Sequence, residues 1–105
     1  MWRWIYLSLG VLSFCGCVNY PNFYEGIKYF KAQKYRDAFI RLKPVAEKGQ
    51  HDAEYAVGYM YYYGQGVVED RAKAWYWITK AARVGQPDAI EAAAILSKSK
   101  KDTKH

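Results

Sequence analysis

Apolar residues between positions 51 and 63 follow the period of an α-helix, and they do so on two of its sides. With about 100° of rotation per residue, one apolar group shares a single side, which is predicted to face the core; its members are Ala53, Val57, Met60 and Tyr61. Tyr55, Tyr59 and Tyr62 fall within about 60° of each other on the opposite side. The pattern therefore predicts a helix with a buried face and a separate, outward aromatic face.

The same periodicity, interrupted by glycine and proline stops, predicts an all-α chain of five helices. These helices cover about residues 22–32, 35–48, 51–63, 70–84 and 87–97. Pro44 stands inside the second helix, where it removes a backbone hydrogen-bond donor and crowds the preceding turn. A kink or a break into two pieces is expected at that position.

Two blocks of the chain, residues 38–53 and 74–89, repeat each other. Six residues of the first block recur 36 positions later, namely Ala38, Ala46, Gly49, Gln50, Asp52 and Ala53. Each block predicts a helix, a glycine in the left-handed position after that helix, and an acidic residue in the first turn of the next one. Because a period of this length is typical of stacked supersecondary units, each unit is predicted to be a helical hairpin.

The loop between the two helices of the second hairpin is longer than that of the first by four residues, the Gly-Gln-Gly-Val at 64–67. Gly64 or Gly66 is expected to have a positive φ, which glycine adopts without steric cost. Val67 is expected to pack back on the core. Asp70 is expected to cap the helix that follows.

Residues 53–89 resemble one complete Sel-like repeat, a relative of the tetratricopeptide repeat. Together with Gly49 and Ala89 from the internal repeat, the motif residues are Ala53, Gly58, Tyr61, Gly64, Gly66, Val67, Asp70, Lys73, Ala74, Trp77, Lys80, Ala81, Ala82 and Gly85. Val57 and Ile78 stand where the family usually has leucine and tyrosine. Residues 23–49 resemble a shorter first unit, and residues 87–96 supply the first helix of a third. The resemblance implies an α-solenoid of about two and a half units over residues 22–97.

The beginning of the chain has the pattern of an export signal. Arg3 is followed by an apolar run from Trp4 to Cys17. That run is shorter than the ~20 residues of a membrane-spanning helix. Residues 1–16 are therefore predicted to be a signal peptide.

The end of this run resembles the bacterial lipobox, because the small residue Gly16 precedes Cys17. The resemblance implies cleavage before Cys17, a lipid on its thiol, and a short linker over residues 17–21. Since no aspartate follows the cysteine, it also implies a periplasm-facing lipoprotein of the bacterial envelope, sent to the outer membrane. An ordinary signal peptide cut near Gly16, or a retained anchor, remains open.

Charge adds little evidence for nucleic-acid binding. The chain has a net charge of +6, of which the predicted disordered tail over residues 98–105 carries three. A diffuse excess on the folded part differs from the basic stripe that nucleic-acid binding requires. We therefore expect no nucleic-acid partner.

Residues with catalytic or metal-binding chemistry are few. The histidines are His51 and His105, and a lipidated Cys17 leaves no cysteine to complete a zinc site. The Gly-Gln-Gly lacks the lysine and hydroxyl of a phosphate-binding loop. The sequence predicts no enzyme activity, metal, cofactor or small-molecule substrate. An envelope hydrolase using Glu54 or Glu69 is kept as an alternative, which a cleft with two nearby carboxylates would favour.

The resemblance implies an adaptor that binds a protein or peptide partner. In stacked hairpins the first helices of successive units line the concave surface. The outward tyrosines of the second unit would lie beside the equivalent positions of the first, 32 residues earlier. The predicted partner-binding residues are therefore Phe23, Ile27, Phe30, Tyr55, Tyr59 and Tyr62. They would form a shallow aromatic groove.

Basic residues near the first of these helices would add a positive rim to the groove and favour acidic partners. They are Lys28, Lys31, Lys34 and Arg36. In the alternative interpretation, the chain is a structural subunit of an envelope or secretion complex, and a large exposed apolar face would favour it.

Overall fold

A computed structural model describes residues 21–102, which form five α-helices without a strand in that range. The helices are α1 (Pro21–Lys31), α2 (Tyr35–Glu47), α3 (His51–Tyr63), α4 (Arg71–Arg83) and α5 (Pro87–Asp102). The predicted all-α architecture is confirmed. The signal peptide and the lipidation of Cys17 lie outside the described residues, and both stay predictions.

Each helix packs against the next along the chain, which builds the predicted solenoid. A first core cluster joins α2, α3 and α4, with α1 packed against it, and it includes every residue predicted for the inward side of α3. A smaller cluster of Ile78, Ala81 and Ala89 joins α4 to α5. The core is thus a continuous strip that runs from hairpin to hairpin.

A glycine in the first helix of each unit lets the second helix approach closely. A Cβ atom on Gly26 would lie 2.6 Å from Cγ of Leu42 on α2, and one on Gly58 would lie 2.6 Å from Cγ1 of Ile78 on α4. Leu42 and Ile78 are 36 positions apart and therefore equivalent in the repeat. The two hairpins therefore pack in the same way, with an aliphatic side chain of the second helix against a glycine of the first.

The loop of the second hairpin has the predicted conformation. Gly64 and Gly66 have φ angles of +68° and +74°. Val67 packs against the core, and the Asp70 carboxylate accepts a hydrogen bond of 3.0 Å from the backbone N–H of Lys73. The loop also reaches the first unit, because Gly66 lies directly against the backbone at the start of α2.

Glutamine side chains cap α3 and α5, an arrangement that the sequence analysis missed. Gln50 Oε1 accepts from the N–H of Ala53, and Gln86 Oε1 accepts from the N–H of Ala89, both at 2.6 Å. The Gln86 amide also donates to the carboxylate of Asp52 at 3.0 Å. The recurrence of this glutamine 36 residues later was the available signal, but glutamine is not a preferred capping residue.

Two expectations about the helices are corrected. First, Pro44 does not break α2 into two pieces, because the proline lies on the exposed side near the end of the helix, where water can solvate the carbonyl left unpaired; a kink there stays a prediction. Second, α5 continues to Asp102, so residues 98–102 are helical and not a disordered tail. That segment contains no glycine or proline to stop the helix, and its lysines are favourable near a helix C-terminus.

Candidate functional site

Five of the six residues predicted to bind a partner line a single cavity of about 280 Å³. The cavity lies between α1 and α3 at the start of α5. Its lining residues are Phe23, Ile27, Phe30, Asp52, Tyr55, Ala56, Tyr59, Gln86 and Asp88. Two helices that are separated in the chain by α2 thus contribute apolar side chains to one concave space.

The sixth residue, Tyr62, lines a second cavity of about 220 Å³ between α3 and α5. Its lining residues are Tyr55, Tyr59, Tyr62, Tyr63, Ile78, Ala92, Ile95 and Leu96. Tyr55 and Tyr59 line both cavities and form the wall between them. We call the two cavities together the aromatic groove; it crosses the first helices of all three units, α1, α3 and α5.

The rings of the groove pack against each other. Tyr59 is central, with ring centroids 6.0 Å from Phe30, 6.2 Å from Tyr55 and 4.8 Å from Tyr63. Edge-to-face and tilted contacts of this kind stabilise a particular arrangement of rings. The groove is therefore partly preorganised, which lowers the entropy lost when a ligand binds.

Tyr62 differs from the other tyrosines because α4 holds it in place. The Arg71 guanidinium lies 3.8 Å from the centre of the Tyr62 ring, and Arg71 Nε donates to the Tyr62 carbonyl at 3.2 Å. Glu69 pairs with the same Nε at 3.0 Å. Tyr62 thus serves the packing of the second hairpin as well as the groove.

The charged side chains that line the groove are acidic, contrary to the expectation of a basic rim. Asp52 and Asp88 line the first cavity, whereas none of the four basic residues proposed for the rim lines either cavity. The repeat explains this, because both aspartates lie in the first turn of a first helix. Burial, followed by the negative charge of Asp88, raises the pKa of Tyr55 above its ordinary value.

The two carboxylates proposed for a hydrolase lie outside the groove. Glu54 is only 2 % exposed and pairs with His51 Nδ1 at 3.5 Å and Lys80 Nζ at 3.7 Å. Glu69 is exposed and bound to Arg71. Neither lines either of the two cavities of the groove, so the catalytic alternative receives no support from these residues. Within the described part of the chain, no group of three histidine, cysteine or acidic residues could hold a metal ion.

The family comparison agrees with this geometry. Residues 51–86, which comprise α3, the glycine loop, α4 and the Gln86 cap, match the family model for the Sel1 repeat. This segment is a Sel1 repeat. Sel1 repeats are generally non-catalytic modules that bind protein partners. The hairpin of α1 and α2 precedes the matched repeat and shares its glycine-based packing.

A curated relative contains a similar segment. The chain is 40 % identical over 54 residues to the "ERAD-associated E3 ubiquitin-protein ligase component HRD3A" of Arabidopsis thaliana. The match covers 50 % of this chain but only 8 % of the relative, so it concerns the repeat and not the whole protein. No solved structure gives a significant match to the chain.

Sequence reasoning missed the contribution of α5 to the groove. Ile95 and Ala92, on α5, line the second cavity. The repeat offset was a usable signal, since Ile95 is 36 positions after Tyr59. It was not applied to α5, where the outward position is aliphatic and no longer resembles a row of tyrosines.

Proposed function

We propose that this chain is a non-enzymatic adaptor that binds a segment of a partner protein in the aromatic groove. The observation that carries the proposal is the convergence of Phe23, Ile27 and Phe30 with Tyr55 and Tyr59 on one cavity. A Sel1 repeat supplies the second half of that surface. Tyrosines that are partly buried offer a large contact area at low entropy cost, and their hydroxyl groups can hydrogen-bond a peptide backbone.

The groove suits an extended peptide or one face of a helix. It is open, elongated across three helices, and lined by rings that already contact each other. Each cavity is smaller than the ~300–1,000 Å³ of a typical small-molecule site. Alternate side chains of an extended peptide, or side chains one turn apart on a helix, could occupy the two cavities on either side of the wall formed by Tyr55 and Tyr59.

For the location of the protein we propose the periplasmic side of the bacterial envelope, with a lipid on Cys17 as the anchor to the outer membrane. The support for this proposal is the apolar run and the Gly16–Cys17 pair. None of the helices within residues 21–102 has the length and apolarity that a membrane crossing requires. Replacement of Cys17 by serine should give an unprocessed or soluble product; normal maturation and membrane fractionation of that variant would contradict the lipid anchor.

The groove is tested by site-specific photocrosslinking in intact cells. A photoreactive phenylalanine analogue at Tyr59 should crosslink to a partner, whereas the same analogue at Tyr24, which is 70 % exposed on α1 and lines neither cavity, should not. The double variant Tyr59→Ala, Tyr62→Ala should no longer capture the partner protein from envelope extract, while its thermal unfolding remains cooperative. Full capture by the double variant, or equal crosslinking from Tyr24, would exclude the groove as the binding surface.

One observation favours the alternative of a structural subunit. The last helix, α5, has no following helix within the described residues, and Ile90 on it is 50 % exposed. A subunit that packs there would leave the groove free. Crosslinking from Ile90 with none from Tyr59 would therefore favour this role over the adaptor.

A further inference from the structure

Two carboxylates line one end of the aromatic groove, and a third lies near it. Asp52 and Asp88 line the first cavity, and Glu91 lies one turn after Asp88 on α5. Tyr55 lies among them; the charges of Asp88 and Glu91 both contribute, after burial, to raising the pKa of its phenol. The polar end of the groove therefore carries a concentrated negative charge.

These carboxylates have no basic partner within the described residues, although the chain has a net charge of +6. The glutamates elsewhere on the described surface and core are paired: Glu25 with Arg41, Glu47 with Lys43, Glu54 with Lys80 and His51, and Glu69 with Arg71. At the groove, Asp52 accepts a hydrogen bond only from the neutral amide of Gln86. The negative charge there is left for a ligand.

We propose that the partner segment carries a lysine or arginine next to a large apolar residue. The apolar side chain fills the first cavity between Phe23, Ile27 and Tyr59, and the cationic group pairs with Asp88 at the rim. The faces of the tyrosine rings at this end provide a second attraction for a cation. This inference rests on the proposed function, since it specifies the chemistry of the segment that the groove binds.

The test begins with a selection that does not assume a sequence. Full-length protein in nanodiscs of zwitterionic lipid is used to select random peptides of about twelve residues displayed on phage. Peptides that bind wild-type protein but not the Tyr59→Ala variant should be enriched in lysine or arginine beside leucine, isoleucine, phenylalanine or tryptophan. Enrichment in acidic peptides would overturn the inference.

The best peptide is then compared with its acetyl-lysine analogue by fluorescence anisotropy. The double variant Asp88→Asn, Glu91→Gln should weaken binding of the basic peptide by up to roughly tenfold and leave the analogue unchanged. Asp37→Asn is the matched control, because Asp37 also lies in the first turn of a helix and is exposed, but lines neither cavity. Asp37→Asn should change the affinity for the basic peptide, and that for its acetyl-lysine analogue, by no more than about twofold.

The possible results distinguish a failure of the cationic specificity from a failure of the groove as the binding surface. If the peptides depend on Tyr59 but not on the carboxylates, the adaptor remains and the cationic specificity is wrong. If no selected peptide depends on Tyr59, both fail. If the carboxylate variant dissociates a dimer seen by sedimentation, the groove is occupied by a second copy of this chain and the proposed partner chemistry is wrong.

Discussion

The loop of the second hairpin, residues 64–67, contacts the first hairpin through Gly66. Among the described glycines, Gly66 is therefore expected to tolerate substitution least. Its φ is +74°, and a Cβ atom there would overlap the carbonyl of Tyr35 and lie 2.7 Å from the backbone nitrogen of Arg36. The obstacle is backbone at the start of α2, which a rotamer change cannot move. Gly66→Ala should therefore strain the junction between the two hairpins.

The expected loss has two parts. A left-handed conformation costs an alanine about 1–2 kcal/mol. Forcing a methyl group against the backbone of a packed helix adds about 1–3 kcal/mol. Together they reduce the free energy of unfolding by roughly 2–5 kcal/mol, a large share of the roughly 4–12 kcal/mol expected for a domain of this size. The melting temperature should fall by at least about 10 °C.

Gly85→Ala is the matched control. Gly85 has φ of +95°, but a Cβ atom there meets no atom within 4 Å. This variant should lose only the conformational part, about 1–2 kcal/mol. Urea unfolding followed by circular dichroism gives both values, and their difference measures the contact with Tyr35. Equal losses in the two variants would show that the loop does not pack against α2 as described.

Three further changes test other parts of the structure. Gln33 occupies the left-handed position after α1, with φ of +64°; Gln33→Gly should raise the free energy of unfolding by about 0.5–1 kcal/mol, and a lower urea midpoint would contradict that geometry. Gly58→Ala should cost about 1–3 kcal/mol because of Ile78, and a double-mutant cycle with Ile78→Ala should show that this loss is partly relieved; strictly additive losses would exclude the contact. Because the folded state raises the pKa of Tyr55, its neutral phenol stabilises the fold up to about pH 10, and this contribution is lost as the pH rises further. Tyr55→Phe should reduce the decline in stability above that pH, as measured by urea unfolding across the alkaline range, and an unchanged decline would exclude Tyr55 as its source.

Local chemistry was readable from the sequence alone. The helices, the left-handed glycines and the Asp70 cap depend on residues close in the chain, so periodicity and turn chemistry identified them. The inward and outward sides of α3 were also separable, because a helix converts spacing directly into direction. The repeat then extended the interpretation from one hairpin to two, and it assigned Phe23 and Tyr55 to the same concave surface.

Tertiary packing decided what the spacing left open. Whether Asp88 or Lys31 borders the groove depends on how α1, α3 and α5 lie against each other, and the sequence pattern suggested the wrong sign of charge. Gly66 and Gly85 look alike in sequence and in φ, yet only the first is pressed against another hairpin. The physical reason is the same in both cases: short-range patterns fix the conformation of each helix and turn, whereas the neighbours of a side chain come from segments far away in the chain.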